Sequence, residues 1–248
     1  MLNNPTIDKL KDMKLKVMAA MLEDPDPSLR ELSFEERLGF MVEKEWLARK
    51  NAKIKRLLRD AALGIDACIE DIYYSADRSI DKKTIQTLST CAFMEQKLNI
   101  VISGKTGSGK SYLACAFGNK ACRQGYRVKY YRMPELLLEV QEAKNEHRYS
   151  KFMNQLQKVK LLILDDIGLK SYTLEESRDL LEIVESRYNR ASTILSGQVS
   201  HTKWYDLFPD PTVADAVMDR VIHNSYIIAL DSRQSMREVM AKKNAATD

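Results

Sequence analysis

The residues from Val101 to Gly118 carry the clearest chemical signal in this chain of 248 residues. An apolar, β-branched run there meets the segment Gly104-Lys105-Thr106-Gly107-Ser108-Gly109-Lys110-Ser111, which fits the pattern GxxxxGK[ST] at every fixed position. Glycines let backbone amides approach phosphate oxygens, and the N-terminus of the following helix adds the positive end of its dipole. The segment, called the phosphate loop below, therefore predicts a nucleotide site in which Lys110 reaches the β- and γ-phosphates and Ser111 holds Mg²⁺. We extend the predicted nucleotide contacts to Tyr112. The alternative is a glycine-rich turn with a chance lysine.

Two adjacent carboxylates form the second part of this site. The apolar run Leu161–Leu164 predicts a buried strand, and Asp165 and Asp166 follow it. Ligands of open α/β sheets bind at the carboxyl ends of the strands, so both acids should lie beside the phosphates. We assign Asp165 to Mg²⁺, through water, and Asp166 to the water that attacks the γ-phosphate. Two adjacent acids favour hydrolysis over transfer to a large acceptor, while a strand that simply ends in a charged turn is the alternative.

Polar residues in the second half of the chain supply further candidates. The run "STILSGQ" (192–198) predicts another buried strand, after which Ser196 or Gln198 could contact the γ-phosphate or the attacking water; a loop hydrogen bond is the alternative. Arg220 stands just before the last predicted strand, whereas Arg233 and Arg237 follow it. We interpret Arg233 as a surface charge.

The surrounding sequence predicts how these residues are positioned. From about residue 99, short β-branched runs alternate with helical patterns, which indicates an α/β fold with a parallel sheet and helices on both faces. Residues 1–75 lack a strand pattern and predict a helical N-terminal domain with a helix broken at 24–28, a capping box from Ser33 to Glu36 and a long helix after it. The polar stretch 75–84 is interpreted as a linker, so the predicted domains are 1–75 and 76–248.

The combined motifs resemble the IstB-like ATP-binding proteins, which help insertion-sequence transposition, are related to the DnaC helicase loaders and belong to the AAA+ superfamily. The helical N-terminal part, the phosphate loop, "LLILDDIG", "STILSGQVSHTKWYDL", "DPTVADAVMDRVIHNSYIIAL" and "SMR" carry this resemblance over nearly the whole chain. It implies an AAA+ P-loop NTPase fold, a three-layer α-β-α arrangement with a parallel five-stranded sheet, preceded by a small all-α domain. It also implies that Arg220 is an arginine finger acting on a neighbouring subunit, that Arg237 is a sensor-2-like arginine, and that Ser196 or Gln198 is sensor 1.

Three positions depart from the pattern of that family. Lys105 and Thr106 stand where two prolines are usual, and Ser-Gly-Gln (196–198) stands where Thr-Ser-Gln is usual. The second acid is Asp166, whereas many AAA+ proteins carry the longer glutamate there. A carboxylate that is one methylene shorter predicts slow hydrolysis, which suits a switch better than a motor.

A basic stretch in the N-terminal region is the candidate DNA contact. Residues 44–59 hold seven basic residues and one acid, and in a helix Arg49, Lys53 and Arg56 would share a face, with Lys55 and Arg59 close by. Lys50 is also a candidate DNA contact. Such a stripe is a usual electrostatic footprint for phosphate backbones, and the absence of a base-reading motif predicts sequence-independent binding of double-stranded DNA. The buried side of the same helix would consist of Trp46, Leu47, Ile54, Leu57 and Leu58. The alternative is a solvated face of a core helix or a docking surface for an acidic partner. A weaker second group comprises Lys144, Arg148 and Lys151.

Composition limits the function class only broadly. The formal net charge is +4, hydrophobic residues make up 44% of the chain, and no apolar stretch approaches the roughly 20 residues of a membrane span. Four cysteines without metal-ligand spacing predict reduced thiols and a soluble cytoplasmic protein. The favoured function is an ATPase that binds DNA and assembles into homo-oligomers with composite ATP sites to serve a transposase. A helicase loader acting on a replicative helicase is the first alternative, followed by a small-molecule kinase and a non-hydrolysing scaffold.

Overall fold

The structure, a computed structural model, describes residues 4–74 and 79–231 together with 235, 236 and 238. The chain divides into two compact units, 1–56 and 57–248. This division precedes the predicted boundary at 75/76 because Leu57, Ala61 and Ile72 belong to the core of the second unit. The predicted linker is in part a helix, since α4 begins at Lys82 after the Asp81 cap, while residues 75–78 lie outside the described part of the chain.

Three helices make up the described part of the first unit: α1 (Asn4–Asp12), α2 (Lys16–Glu23) and α3 (Phe34–Ala61), the last of which runs on into the second unit. The predicted capping box at the start of α3 is confirmed, because the amide of Glu36 donates to Ser33 Oγ and the amide of Ser33 donates to Glu36 Oε2. A short 3₁₀ turn, Pro27–Glu31, lies between α2 and α3.

Two details of the first unit differ from the sequence prediction. The single helical pattern before residue 24 is broken between α1 and α2, where Lys14 adopts a φ of +61°. Trp46 and Leu47, predicted on the buried side of α3, are 52% and 39% exposed, so the prediction is wrong for these two residues, whereas Leu57 is buried as predicted. Within residues 34–56 of α3 the buried residue is Glu45, whose carboxylate accepts the amides of Val17 and Met18 at the start of α2.

The second unit contains one parallel sheet of five strands in the order β2-β3-β4-β1-β5. The strands are β1 (Asn99–Gly104), β2 (Val128–Arg132), β3 (Leu161–Ile167), β4 (Ser192–Gly197) and β5 (Ser225–Leu230). All five lie where the alternating pattern predicts them. Strands β3, β4 and β1 are neighbours in this parallel sheet, so their C-terminal ends lie close together at one edge, called the carboxyl edge below.

Helices cover both faces of this sheet. They are α4 (Lys82–Ser89), α5 (Ala92–Glu95), α6 (Lys110–Arg123), α7 (Met133–Asn145), α8 (Tyr149–Lys158), α9 (Leu174–Arg187) and α10 (Pro211–Ile222). Side chains alternate along each strand, so Ile100 and Ile102 pack in the core that contains α4–α6, whereas Val101 packs in the core that contains α7–α10. The result is the predicted three-layer α-β-α arrangement.

Two further observations concern the predicted soluble class. No helix within residues 4–74 and 79–231 is long and apolar enough to cross a membrane. All four cysteines are free thiols, of which Cys91, Cys115 and Cys122 are buried. Burial raises the pKa of Cys115 to about 11 and that of Cys122 to about 12, so both stay protonated at neutral pH.

Candidate nucleotide-binding site

The phosphate loop connects β1 to α6 at the carboxyl edge of the sheet. Gly104 has a φ of +154°, and a Cβ at this position would lie 2.2 Å from the carbonyl oxygen of Leu230 on the adjacent strand. Gly109 adopts a φ of +92° as the residue that caps α6. Neither position accepts a side chain without strain, which explains why both are glycine in a loop that must bring its amides toward an anion.

Lys110 is the first residue of α6, and its ammonium lies inside the phosphate loop. The side chain is 7% exposed, and Nζ donates to the carbonyl oxygen of Lys105 at 2.9 Å. Burial lowers the pKa of Lys110, while the charges of Asp165 and Asp166 oppose this shift. The cation therefore stands close to both predicted acids, at the place where a bound phosphate would meet it.

Other residues of the loop differ in exposure. Ser108 is buried, Ser111 and Tyr112 are half-buried, and the side chains of Lys105 and Thr106 are exposed. The Tyr112 hydroxyl donates to the carbonyl oxygen of Cys68 at 3.4 Å. Ser111, which immediately follows Lys110 in the first turn of α6, could hold a metal ion that bridges to phosphate.

Asp165 is held by three hydrogen bonds at the end of β3. It is 1% exposed, its Oδ1 accepts the hydroxyl of Ser196 and the amide of Asp166, and its Oδ2 accepts the hydroxyl of Tyr130 at 2.9 Å. A serine hydroxyl and a carboxylate are the hard oxygen donors that Mg²⁺ prefers, so Ser111 and Asp165 fit the predicted metal. Ser196 thus contacts the carboxylate that we assign to the metal.

Asp166 follows with a φ of +61°, in the left-handed region. Its Oδ2 accepts a hydrogen bond from Arg132 Nε at 2.8 Å, across the end of β2. Aspartate tolerates this backbone conformation better than most residues, and such conformations recur at functional sites. The carboxylate that we assign to the attacking water is therefore paired with an arginine in this structure.

Two contacts bring later segments of the chain to the phosphate loop. Gln198 Oε1, just after β4, accepts the hydroxyl of Thr106 at 2.9 Å. The amide of Met236 donates to the carbonyl oxygen of Gly107 at 2.8 Å. Arg237 itself lies outside the described residues, but Met236 precedes it directly, so the chain that leads to the predicted sensor-2 arginine reaches the loop.

Arg220 lies at the amino edge of the sheet, where the strands begin, opposite the carboxyl edge that holds the phosphate loop. It occupies the last turn of α10, and the side-chain amide of Asn99, the first residue of β1, donates to the Arg220 carbonyl oxygen at 3.3 Å. Its guanidinium pairs with Glu185 at 2.9 Å and donates to the carbonyl oxygen of Ala216, while Nε is buried with no hydrogen-bond partner among the described residues. From Asn99 to Gly104, β1 rises by about 16 Å, so Arg220 is remote from the phosphate loop of its own chain.

The predicted DNA contacts fall into two classes. Lys50, Lys53 and Arg56 are exposed on α3, and Lys50 Nζ lies 4.7 Å from the ring centroid of Trp46. Arg49 is engaged within its unit, because it donates to Glu45 Oε1 at 2.8 Å and to the carbonyl oxygen of Lys14 at 2.7 Å.

The second basic group is largely paired. Lys144 forms ion pairs with Glu175 and Asp179 at 3.0 and 2.6 Å, and Arg148 pairs with Glu146, whereas Lys151 is exposed. Such pairing reduces the positive charge that this group can offer to DNA.

Tyr130 and Arg132 are site residues that the sequence analysis missed. Both lie on β2, whose place beside β3 brings their side chains to the two adjacent acids. A tyrosine and an arginine in "RVKYYR" fit an ordinary strand, so the only available signal was the adjacency of β2 and β3, and no motif encodes that adjacency.

Comparison with known proteins identifies the family. The model of the "IstB-like ATP binding protein" family matches residues 8–245. This chain belongs to the IstB-like family. It is 39% identical to the insertion sequence ATP-binding protein y4pL of Sinorhizobium fredii over 98% of this chain and 100% of that protein. It is 37% identical to the ATP-binding protein of insertion sequence IS1162 of Pseudomonas fluorescens, over 80% of this chain and 87% of that protein.

Solved structures show the same fold at low identity. AMPPCP-bound DnaA from Aquifex aeolicus matches with a TM-score of 0.59 and 20% identity over 75% of this chain and 57% of that chain. The DnaC helicase loader matches with a TM-score of 0.55 and 17% identity over 66% of this chain and 96% of that chain. The predicted AAA+ fold is thereby confirmed, and DnaA and the DnaC helicase loader share it. ATP is the nucleotide that the family description implies for the phosphate loop.

Proposed function

We propose that this protein is an ATPase that binds DNA and assists the transposition of an insertion sequence. With ATP, it assembles into a homo-oligomer on double-stranded target DNA, largely without regard to sequence, and delivers that DNA to a transposase. Hydrolysis acts as the switch. Relatives that are named as ATP-binding proteins of insertion sequences support this proposal, as do the phosphate loop and the paired acids.

In the proposed reaction the protein binds ATP and positions a water molecule. Lys110 would neutralise the β- and γ-phosphates, and Ser111 and Asp165 would hold Mg²⁺, which would supply charge stabilisation to the transferred phosphoryl group. Asp166, once its carboxylate is free of Arg132, accepts a hydrogen bond from the attacking water and orients it. Gln198, already bonded to Thr106, stands where a sensor of the γ-phosphate would act, and Arg237 would approach from the segment after β5.

The position of Arg220 is the observation on which assembly rests. Its carbonyl oxygen bonds to Asn99 at the amino edge of the sheet and its guanidinium pairs with Glu185 in the last turn of α9, whereas the phosphate loop lies at the carboxyl edge. An arginine that serves ATP hydrolysis from there must do so in a neighbouring subunit. A composite site would make ATP binding and oligomerisation depend on each other, which is what a switch on DNA requires.

Mixing two inactive variants tests this arrangement. Arg220→Ala keeps the phosphate loop but lacks the finger, while Lys110→Ala keeps the finger but cannot bind ATP. In a mixed oligomer, some interfaces pair an intact phosphate loop with an intact Arg220. We therefore expect each variant alone to be inactive with DNA and ATP, and the mixture to recover part of the ATPase activity.

The control mixes Lys110→Ala with Asp166→Asn. Here the catalytic carboxylate is missing from each subunit that still binds ATP, so no interface should recover activity. If Arg220→Ala alone hydrolyses ATP normally with DNA and still assembles, Arg220 is a structural arginine and the composite site is wrong. Particle images of the protein with DNA and a slowly hydrolysed ATP analogue would give the assembly directly.

The runner-up function is a loader of a replicative helicase. The fold of the DnaC helicase loader, matched over 96% of that chain, favours keeping this candidate. Both functions share the ATP site and differ only in the protein partner. Binding assays with a purified insertion-sequence transposase and with a replicative helicase separate them, since only the true partner should bind in an ATP-dependent manner.

A further inference from the structure

Tyr130 contacts the one acid that the proposed function assigns to Mg²⁺. It lies on β2, one strand away from Asp165, and its hydroxyl donates to Asp165 Oδ2 at 2.9 Å. The opposite oxygen, Oδ1, accepts the Ser196 hydroxyl and the amide of Asp166. Both carboxylate oxygens are therefore fixed, each by a donor from a different strand.

We infer that Tyr130 is a positioning residue that sets the orientation of Asp165 for a magnesium–nucleotide complex. A ligating carboxylate needs an outer partner to fix its plane, and loss of such a partner typically lowers metal affinity. Ser196 and the Asp166 amide hold only one carboxylate oxygen, Oδ1. The hydrogen bond from the Tyr130 hydroxyl to Oδ2 prevents the carboxylate from rotating and thereby fixes the direction of Oδ2.

The environment of Tyr130 suits this role. The ring is packed against the core under α6, and its hydroxyl donates to the Asp165 carboxylate, which is 1% exposed. On its other side the ring meets Gly64, where the Cβ of any larger residue would lie 3.0 Å from Cε1, Cζ and the hydroxyl oxygen. The glycine leaves the hydroxyl room to reach Asp165.

Removing only the hydroxyl tests the inference. Tyr130→Phe keeps the half-buried ring but lets the Asp165 carboxylate rotate. Its matched control is Tyr131→Phe on the same strand, whose ring packs edge-on against Phe152 in the other core. The readout is the affinity of a fluorescent ADP analogue, measured once with Mg²⁺ and once with EDTA.

The inference rests on the proposed metal role of Asp165. We expect Mg²⁺ to tighten nucleotide binding by the wild type and by Tyr131→Phe. The gain, defined as the ratio of the affinity with Mg²⁺ to that with EDTA, should be roughly 10-fold smaller for Tyr130→Phe. Its affinity in EDTA should be unchanged. A purely structural defect would weaken binding equally in both conditions, and that outcome, or an unchanged gain from Mg²⁺, would overturn the inference.

Gly64→Ala provides a second variant that leaves the tyrosine in place. The added methyl group presses on the hydroxyl end of the ring, so it should lower the gain from Mg²⁺ in the same direction as Tyr130→Phe. If both variants keep the wild-type gain, Tyr130 does not orient the metal site. If the wild type itself gains nothing from Mg²⁺, the metal assignment of Asp165 fails instead, and the two failures are distinguishable.

Discussion

Replacing Lys110 with alanine should abolish nucleotide binding without unfolding the protein. The ammonium is buried in the phosphate loop, and burial lowers its pKa, so the nucleotide-free fold carries a charge in an unfavourable position. The contribution of Lys110 to the free energy of unfolding is therefore lowest at a pH below its lowered pKa in the folded protein. It rises as the pH increases from that value toward the ordinary pKa of a lysine in the unfolded chain. Alanine removes that cost, and the nucleotide-free variant should unfold at a temperature no lower than the wild type.

The expected loss of affinity follows from the contacts that Lys110 would make. A hydrogen bond to a charged group contributes about 1.5–3 kcal/mol. Contacts with both the β- and γ-phosphates then contribute about 3–6 kcal/mol, which corresponds to a 10²- to 10⁴-fold weaker dissociation constant, since every 1.4 kcal/mol is about tenfold. The Lys105 carbonyl oxygen, now bonded to Nζ, belongs to an exposed residue and can be hydrated instead.

Thermal unfolding with and without nucleotide measures both effects at once. At 100 times the dissociation constant, ATP should stabilise the wild type by about 2.7 kcal/mol. For a chain of this size that is a rise of roughly 5–10 °C in the midpoint, because each kcal/mol shifts it by about 2–4 °C. The midpoint of Lys110→Ala should rise by at most about 2 °C at the same ATP concentration, because a 100-fold weaker constant leaves only about 0.4 kcal/mol of stabilisation. Lys158→Ala, which replaces an exposed lysine at the end of α8, should behave as the wild type. A normal rise in Lys110→Ala would remove the phosphate-site assignment.

Two further predictions concern catalysis and DNA. Asp166→Asn should keep ATP and Mg²⁺ bound but slow turnover, because an amide lacks the charge that polarises water; hydrolysis at the wild-type rate would place the catalytic acid elsewhere. Neutralising three exposed cations of α3 should weaken binding equally for unrelated DNA sequences and should not affect ATP binding. In a plot of the logarithm of the DNA association constant against the logarithm of the salt concentration, the slope should fall in magnitude by about 0.9 for each DNA phosphate that the variant no longer neutralises. An unchanged slope would make this surface a partner-docking or solvated face. The three are Lys50, Lys53 and Arg56, since Arg49 is bonded to Glu45 and its loss would disturb the unit itself.

The sequence predicted the sheet well because its three inner strands, β1, β3 and β4, are buried on both faces. Runs such as Leu161–Leu164 are continuously apolar, and the helices between them follow turn and capping signals, as at Thr173, which caps α9. The short helices α4 and α5 were missed. The four-residue α5 is too short to show a period, and α4 begins inside a polar stretch that was interpreted as a linker. Helices of this length form mainly through tertiary packing, here of Ile85 and Leu88.

The site was predictable where chemistry demands a fixed spacing along the chain. The phosphate loop satisfies its pattern within eight residues, and the two acids follow one apolar strand. Partners that are distant in sequence were not predictable in the same way. Tyr130 and Arg132 meet the acids only because β2 lies beside β3, and Ser196 bonds to Asp165 because β4 lies on the other side. The sequence identifies such residues as polar strand ends without indicating which group each one contacts.

Strand β1 connects the two edges on which the proposed function depends. At its amino end, Asn99 accepts the amide of Thr193 from β4 and donates to the carbonyl oxygens of Arg220 and Val221 at the end of α10. At its carboxyl end, Gly104 begins the phosphate loop. The strand is buried and paired on both sides, so the distance between Arg220 and the phosphate loop is fixed by a rigid element rather than by a flexible loop. A finger that serves a neighbour needs this rigidity, because an arginine tethered to a mobile segment would lose the geometry that makes it effective.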